Sequence, residues 1–416
     1  MEVLTTCQQK AIRAFQSGKN VFLSGEAGTG KSFVLNKYLS EVKGKNIMVC
    51  APTGIAAINI GGVTLHRAFD IPLHPLGPTC CPDEVSKELL QTDVIVIDEI
   101  SMCRFDVFQY VANSIIKAEK DSGRHKQVIL IGDFYQLPPV IVGKDRSALN
   151  SLWGKNHVRD GYAFQAPLWK CFDFEHVILN EIVRQKDDIE FLDNLNRLRT
   201  GDYSSVKWIN EHASKAEKQG IYICPTNKEV NRINTEVSDK LTGDYVEFRA
   251  KIYGRVSDND KPTADILELK VGMQVMAVKN DPLGMYQNGS LGTIKSIDHE
   301  NSVVKVGFFN GNSSDIEIQC WEIDEYKLNE EGDIEPKPVG WFYQIPLKPA
   351  YAITIHKSQG QTFSCANLNP ACFSNGQLYV AVSRLTSIAG LHLTSEISRS
   401  SLRVSDDVTR FYQSIA

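Results

Sequence analysis

The sequence predicts an α/β fold of two parallel sheets, the second interrupted by a small β-barrel. Three observations carry this. First, short and wholly apolar runs recur: Val21-Phe22-Leu23, Ile47-Met48-Val49-Cys50-Ala51, Val94-Ile95-Val96-Ile97 and Val128-Ile129-Leu130-Ile131. Strands that lack polar alternation are covered on both faces, as in parallel sheets. Second, helical spacing separates them, as in Phe105, Phe108, Val111, Ile115 and Ala118. Third, the alternation restarts at Ile189 and resumes at Tyr351, around a stretch of different character at 245–348. A chain of 416 residues has room for two or three domains. The expected division is 1–178, with a small loop insert at about 69–90; then 179–244 with 349–416; and 245–348 as the inserted barrel.

Leu4 to Phe15 reads as a helix, with Thr5 or Thr6 as cap and Gly18 as stop. The first strand runs into Gly25-Glu26-Ala27-Gly28-Thr29-Gly30-Lys31-Ser32, which fits G-x-x-x-x-G-K-[ST] at every fixed position. Val34, Leu35, Tyr38, Leu39 and Val42 then follow at helical spacing, so the glycines sit where a strand becomes a helix. Glycines let backbone N–H groups close around phosphate oxygens, and the helix N-terminus favours negative charge. Gly25, Ala27, Gly28, Thr29 and Gly30 form the cradle. Lys31 reaches the β- and γ-phosphates, and Ser32 ligates Mg²⁺. The chain therefore binds a nucleotide.

The second strand leads into Pro52-Thr53-Gly54-Ile55-Ala56-Ala57, a turn and a small-residue helix. Residues 71–83 hold four prolines, a glycine and two cysteines, and read as a loop outside the core. The third strand ends in Asp98-Glu99 and the fourth in Gly132-Asp133. Gly25, Thr53, Asp98 and Asp133 all lie at carboxyl ends of strands, where open parallel sheets place their ligands. Asp98 would hold Mg²⁺ through its water shell, and Glu99 would polarise the attacking water. Gln136, just past a strand end, is placed to sense the γ-phosphate. A polar passage covers 143–161. Beyond it, Ile189, Leu192, Leu195 and Leu198 mark a helix stopped by Gly201. Ile221–Cys224 and Tyr351–Ile355 are strands, and a helix starts near Gly376. Within the insert, 272–278, 289–297, 302–309 and 316–322 are strand-like, and the acidic run 322–335 reads as a solvated hairpin or loop.

Composition excludes little. Net charge is −5, which neither supports nor excludes nucleic acid, because a strand-tracking protein needs only a local basic groove. Ten cysteines occur without a C-x-x-C pair, as expected of reduced thiols in a cytosol-like compartment. No apolar run reaches transmembrane length, and the N-terminus reads as neither a signal nor a transit peptide.

Taken in order, these motifs resemble the Pif (petite integration frequency) branch of the superfamily 1 helicases and its RecD-like relatives. Gly25 to Ser32 matches the first motif. Pro52 to Ala57 and Thr64-Leu65-His66 match the next two, Asp98 to Met102 the second, and Gly132 to Val140 the third. Glu181-Ile182-Val183-Arg184-Gln185 is similar to the fourth, Thr354 to Thr362 to the fifth, and Tyr379 to Thr386 to the sixth. Gln8 matches the family's adenine-reading glutamine.

The resemblance implies two RecA-like domains with ATP and Mg²⁺ between them and single-stranded DNA across their top. Lys31, Glu99 and Gln136 then act from the first domain, with Arg184 and Arg384 as arginine fingers from the second. Gly360 joins the nucleotide contacts. Thr53, Thr64, His66, His356, Lys357 and Ser358 lie along the DNA. Phe69 either stacks on a base or belongs to the core.

The implied activity is an ATP-dependent 5′→3′ DNA helicase for duplex or folded DNA such as G-quadruplexes, serving repair, recombination or telomere maintenance. It would act at single-strand/duplex junctions as a monomer or as a dimer on DNA. The compartment would be the cytoplasm of a bacterial or viral-like source, or nucleus or mitochondrion in a eukaryote. An RNA helicase and a non-motor ATP-binding assembly subunit are the alternatives. The signature that eukaryotic members carry between the second and third motifs is not recognisable in Phe105 to Gln127.

Overall fold

The computed structural model describes residues 4–141, 143–154, 158–181, 188–217, 220–281, 283–329 and 334–415. Six strands form the first sheet: β1 (Val21–Gly25), β2 (Ile47–Ala51), β3 (Val63–Thr64), β4 (Val94–Ile97), β5 (Gln127–Ile131) and β6 (Glu175–Leu179). Their order is β3-β2-β4-β5-β1-β6, parallel throughout. The period of two sorts each apolar strand between two cores. Phe22, Ile95, Ile97, Val128 and Leu130 face the helix Phe105–Ser122. Val21, Leu23, Val94, Val96, Ile129 and Ile131 face the helices Thr6–Gln16 and Lys31–Glu41. The order sets β4, β5 and β1 side by side. Their carboxyl ends therefore bring the phosphate loop, Asp98-Glu99 and the Asp133–Gln136 turn to one edge.

A second parallel sheet follows the order Ala352–Thr354, Ile221–Cys224, Ala366–Leu368, Leu391–Leu393. Phe191, Leu195 and Leu198 of the helix Ile189–Thr200 share its core with Leu378, Val380 and Val382 of Gln377–Val382. Between these halves of the sheet, residues 246–349 form three antiparallel sheets of two, five and three strands. The two- and five-stranded sheets enclose one core, including Phe248, Leu267, Val275, Val304 and Leu347. The barrel expected here thus takes the form of separately hydrogen-bonded sheets. The acidic run lies largely in a long hairpin, Gln319–Leu328 with Ile334–Gln344, which is anchored to the first domain where Arg67 donates to the Asp324 carbonyl.

Three expectations fail for physical reasons. The loop 71–83 is not outside the core: Ile71 and Leu76 are buried in it. Trp153 Nε1 donates to the Leu76 carbonyl, and the Leu76 N–H donates to Asp106. The polar passage contains a helix, Gly143–Trp153, in which only Leu149 is fully buried, so it is short of apolar periodicity. The last helix, Asp406–Ser414, leaves the second domain: Phe411 stacks on Phe164 of the first at 4.3 Å and Val408 is buried beside it. No described helix is long and apolar enough to cross a membrane.

Candidate nucleotide site and nucleic-acid cleft

The phosphate loop is shaped by its glycines. Gly28 and Gly30 both have φ of +84°, which side chains with a Cβ rarely adopt. A Cβ on Gly25 would lie 2.6 Å from the Leu179 carbonyl of β6. Thr29 Oγ1 donates to the Glu26 carbonyl at 2.9 Å and closes the loop. Lys31 Nζ curls back onto the carbonyls of Gly25 and Glu26 at 2.8 and 2.9 Å. Burial pushes this ammonium below its ordinary pKa, against the pull of Asp133, Glu99 and Asp98. A bound polyphosphate would favour the charged form by supplying anionic oxygens. Ser32 is exposed in the first helical turn. Gln8 packs beneath the loop and donates to the Thr29 carbonyl at 3.2 Å, while its Oε1 accepts from the Thr5 N–H.

Asp98 is buried, and its Oδ1 accepts from the Glu99 N–H at 2.9 Å. Burial first, and the Glu99 charge second, push its carboxyl upward. Such a carboxylate suits a cation. Glu99 itself has φ of +50°, a strained setting for a residue with a side chain. Its Oε2 accepts from Gln359 Nε2 at 2.9 Å, and the same amide reaches Gln136 Oε1 at 3.2 Å. A residue of the second half of the chain thus joins the two groups expected to handle water and γ-phosphate.

Three further contacts escaped sequence reasoning. Arg199 makes a fork to Asp133, Nε to Oδ2 at 3.0 Å and Nη2 to Oδ1 at 2.8 Å, and lies over the Tyr135 ring at 4.3 Å. Tyr412 also donates to Asp133, at 3.3 Å. The Ala27 N–H of the phosphate loop donates to Tyr379 Oη at 2.9 Å. Nothing local marks Arg199 as different from its neighbours on a solvated helix face. Gly376 carried a faint signal, as a glycine before a helix: a Cβ there would lie 2.3 Å from the Gln136 carbonyl.

Of the expected fingers, Arg184 lies outside the described residues. Arg384 is buried, and its guanidinium donates to the Val380 carbonyl at 2.9 Å, to Ser383 Oγ at 3.0 Å, and to the Ser358 and Gln361 carbonyls at 3.5 and 3.4 Å. Gly360 has φ of +78° and faces Asn59.

A cleft between the first domain and the insert encloses about 980 Å³ and is the candidate nucleic-acid track. Thr53, Thr64, His66 and Lys357, named from the sequence, line it together with Lys348 and Lys261, which sequence reasoning did not name. Thr53 and Thr64 hydroxyls cap short helices, accepting from the N–H groups of Ala56 and Arg67. Burial lowers the pKa of His66 and His356 and favours their neutral forms. Two expectations are corrected. Phe69 is 4% exposed within the first core and has no face for a base. Ser358 is fully buried and its hydroxyl donates to the Ile355 carbonyl at 2.8 Å, away from the cleft.

The cations of the cleft fall into two sets. Arg67 pairs with Asp260 at 2.9 Å, and Lys261 with Asp258 and Asp265, each at 2.7 Å. Lys348 and Lys357 have no ion-pair partner among the described residues. Burial, and then the charge of Lys357, push Lys348 down to about 8.

Comparison with known proteins accords with this geometry. A family model described as PIF1-like helicase matches residues 3–211. The chain is 30% identical to the ATP-dependent DNA helicase Pif1 of Campylobacter jejuni over 441 aligned positions, covering 95% of this chain and 94% of that one. It superposes on Bacteroides sp Pif1 in complex with ADP-AlF4 with a TM-score of 0.87 at 32% identity, covering 100% of this chain and 97% of that one. On Bacteroides Pif1 bound to ssDNA the TM-score is 0.70 at 33% identity, over 100% and 97% of the two chains.

Proposed function

The chain belongs to the PIF1-like helicase family, and from that premise we propose that it is an ATP-dependent DNA helicase moving 5′→3′ on single strands. The observation that carries the reading is that one loop, 354–361, serves both places. Lys357 lines the cleft, and Gln359 touches Glu99 and Gln136.

Lys31 and the loop amides of Gly28 to Ser32 hold the triphosphate. The Ser32 hydroxyl and the Asp98 carboxylate, hard oxygen donors, fit Mg²⁺, which when bound neutralises developing phosphate charge. Glu99 accepts a proton from the attacking water, and Gln136 senses the γ-phosphate. Arg184 and Arg384 complete the site from the second domain. Gln8 faces the adenine side. Thr53, Thr64, His66, His356, Lys357 and Lys348 contact phosphates, which fixes position without reading sequence.

The test is unwinding of two duplexes of identical sequence, one with a 5′ tail and one with a 3′ tail, with ATP and Mg²⁺. Unwinding of the 5′-tailed duplex alone is expected. Activity on the 3′-tailed duplex alone overturns the direction. ATP turnover indifferent to single-stranded DNA overturns the motor.

A further inference from the structure

Among the described residues, Gln359 is the one side chain from the other half of the chain that bridges Glu99 and Gln136, and it is 9% exposed. Its orientation is set by chemistry. Both partners, Glu99 Oε2 and Gln136 Oε1, are acceptors, so the amide nitrogen must face them. That leaves Gln359 Oε1 buried and without a hydrogen bond among the described residues. Leaving a buried acceptor unmade is costly, so the residue is held here by its nitrogen side alone.

The loop that carries it is compact. The Ser358 N–H donates to the Thr354 and Ile355 carbonyls, and the Gln361 N–H to the Ser358 carbonyl. Arg384 braces the same loop through the carbonyls of Ser358 and Gln361. Lys357 and Gln359 are therefore two positions of one braced turn, the first lining the cleft and the second against Glu99. The Gln359 N–H takes a lone pair of Glu99 Oε2 and so fixes the direction in which that carboxylate faces.

We propose that Gln359 is a positioning residue that restrains Glu99 while the cleft is empty and releases it when a phosphate backbone engages Lys357. The role rests on the reading of the cleft as a single-strand track. It makes hydrolysis slow without DNA by occupying the group that must receive the proton.

The test is steady-state ATP turnover of Gln359→Met and Gln359→Ala, without nucleic acid and with saturating oligothymidylate. Methionine keeps the length and volume and lacks the amide, so it guards against loss of packing in the alanine variant; melting curves confirm that each is folded. The DNA-free kcat is expected to rise about tenfold, the equivalent of one hydrogen bond to a charged acceptor. KM for ATP stays near the wild-type value, and the stimulation by DNA shrinks accordingly. A DNA-free kcat that is unchanged or falls in parallel with the stimulated rate, in a wild-type background that does respond to DNA, overturns this role alone. Wild-type turnover indifferent to single strands overturns the reading of the cleft and this role with it.

Discussion

The nucleotide site and the cleft beside it solve opposite problems. The nucleotide site is assembled at the ends of three adjacent strands, and its polar groups already have partners: Lys31 on loop carbonyls, Glu99 on Gln359, Asp133 on Arg199. The cleft is lined by segments from the first domain, the insert and the second sheet, and two of its lysines have no ion-pair partner among the described residues. Preorganised groups suit chemistry, where geometry must be in place when charge develops. Unpaired cations suit a track, where contact must form and break with each step.

The comparison breaks most severely at Lys31. Lys31→Ala is expected to lower ATP turnover by about 10³-fold, with single-strand affinity within about twofold because the cleft uses other residues. Turnover assays and anisotropy titrations check both, and a parallel loss would mean that the two places are not separable.

Next comes the joint between the halves. Asp133 is fully buried, so Arg199→Ala strands its charge and should cost about 3–5 kcal/mol of stability. Arg199→Lys retains the charge without the fork and should lose less. Urea denaturation distinguishes them; equal, small losses would reduce the pair to a surface contact.

Lys348 sharpens the cleft side. In the free protein its pKa lies near 8, below the ordinary lysine value, because burial and Lys357 disfavour the charged form. A bound phosphate raises that pKa again, so binding takes up a proton above pH 8. Affinity from this residue is then full below pH 8 and declines as pH rises from there toward the pKa of the bound state. Lys348→Ala should abolish that decline and reduce the salt slope by about 0.7. A pH profile that survives the substitution assigns the effect elsewhere.

The smallest effect on the cleft is expected at Phe69. Phe69→Leu should leave single-strand affinity unchanged and cost about 1 kcal/mol of stability by imperfect refilling of the core. A clear loss of affinity without loss of stability would return the ring to the DNA.

Legibility in the sequence follows the same divide. The apolar runs at 21–23, 94–97 and 128–131 were readable because a strand covered on both faces has no polar alternate residue. The edge strand Glu175–Leu179 escaped although it holds Val177-Ile178-Leu179, because it opens on two polar residues and its Ile178 is left exposed at the sheet edge. The stretch 406–414, expected with 349–416 in the second domain, forms a helix against the first, because position along the chain does not say what a terminal segment packs against.

What the sequence determined by itself is chemistry confined to contiguous residues: Gly28 and Gly30 for a backbone with positive φ, Lys31 and Ser32 directly after them, and Asp98-Glu99 at a strand end. Local stereochemistry selects these residue types, so one stretch of chain suffices to identify them. Tertiary structure alone decided the roles that need a neighbour from far along the chain. It turned Phe69 into the core and Ser358 away from the cleft, left Lys348 half-buried beside another cation, and joined Arg199 to Asp133 and Gln359 to Glu99. A hydrogen bond depends on the separation of two groups in space, to within a few tenths of an ångström, and spacing along the chain does not fix that separation until the sheets are packed.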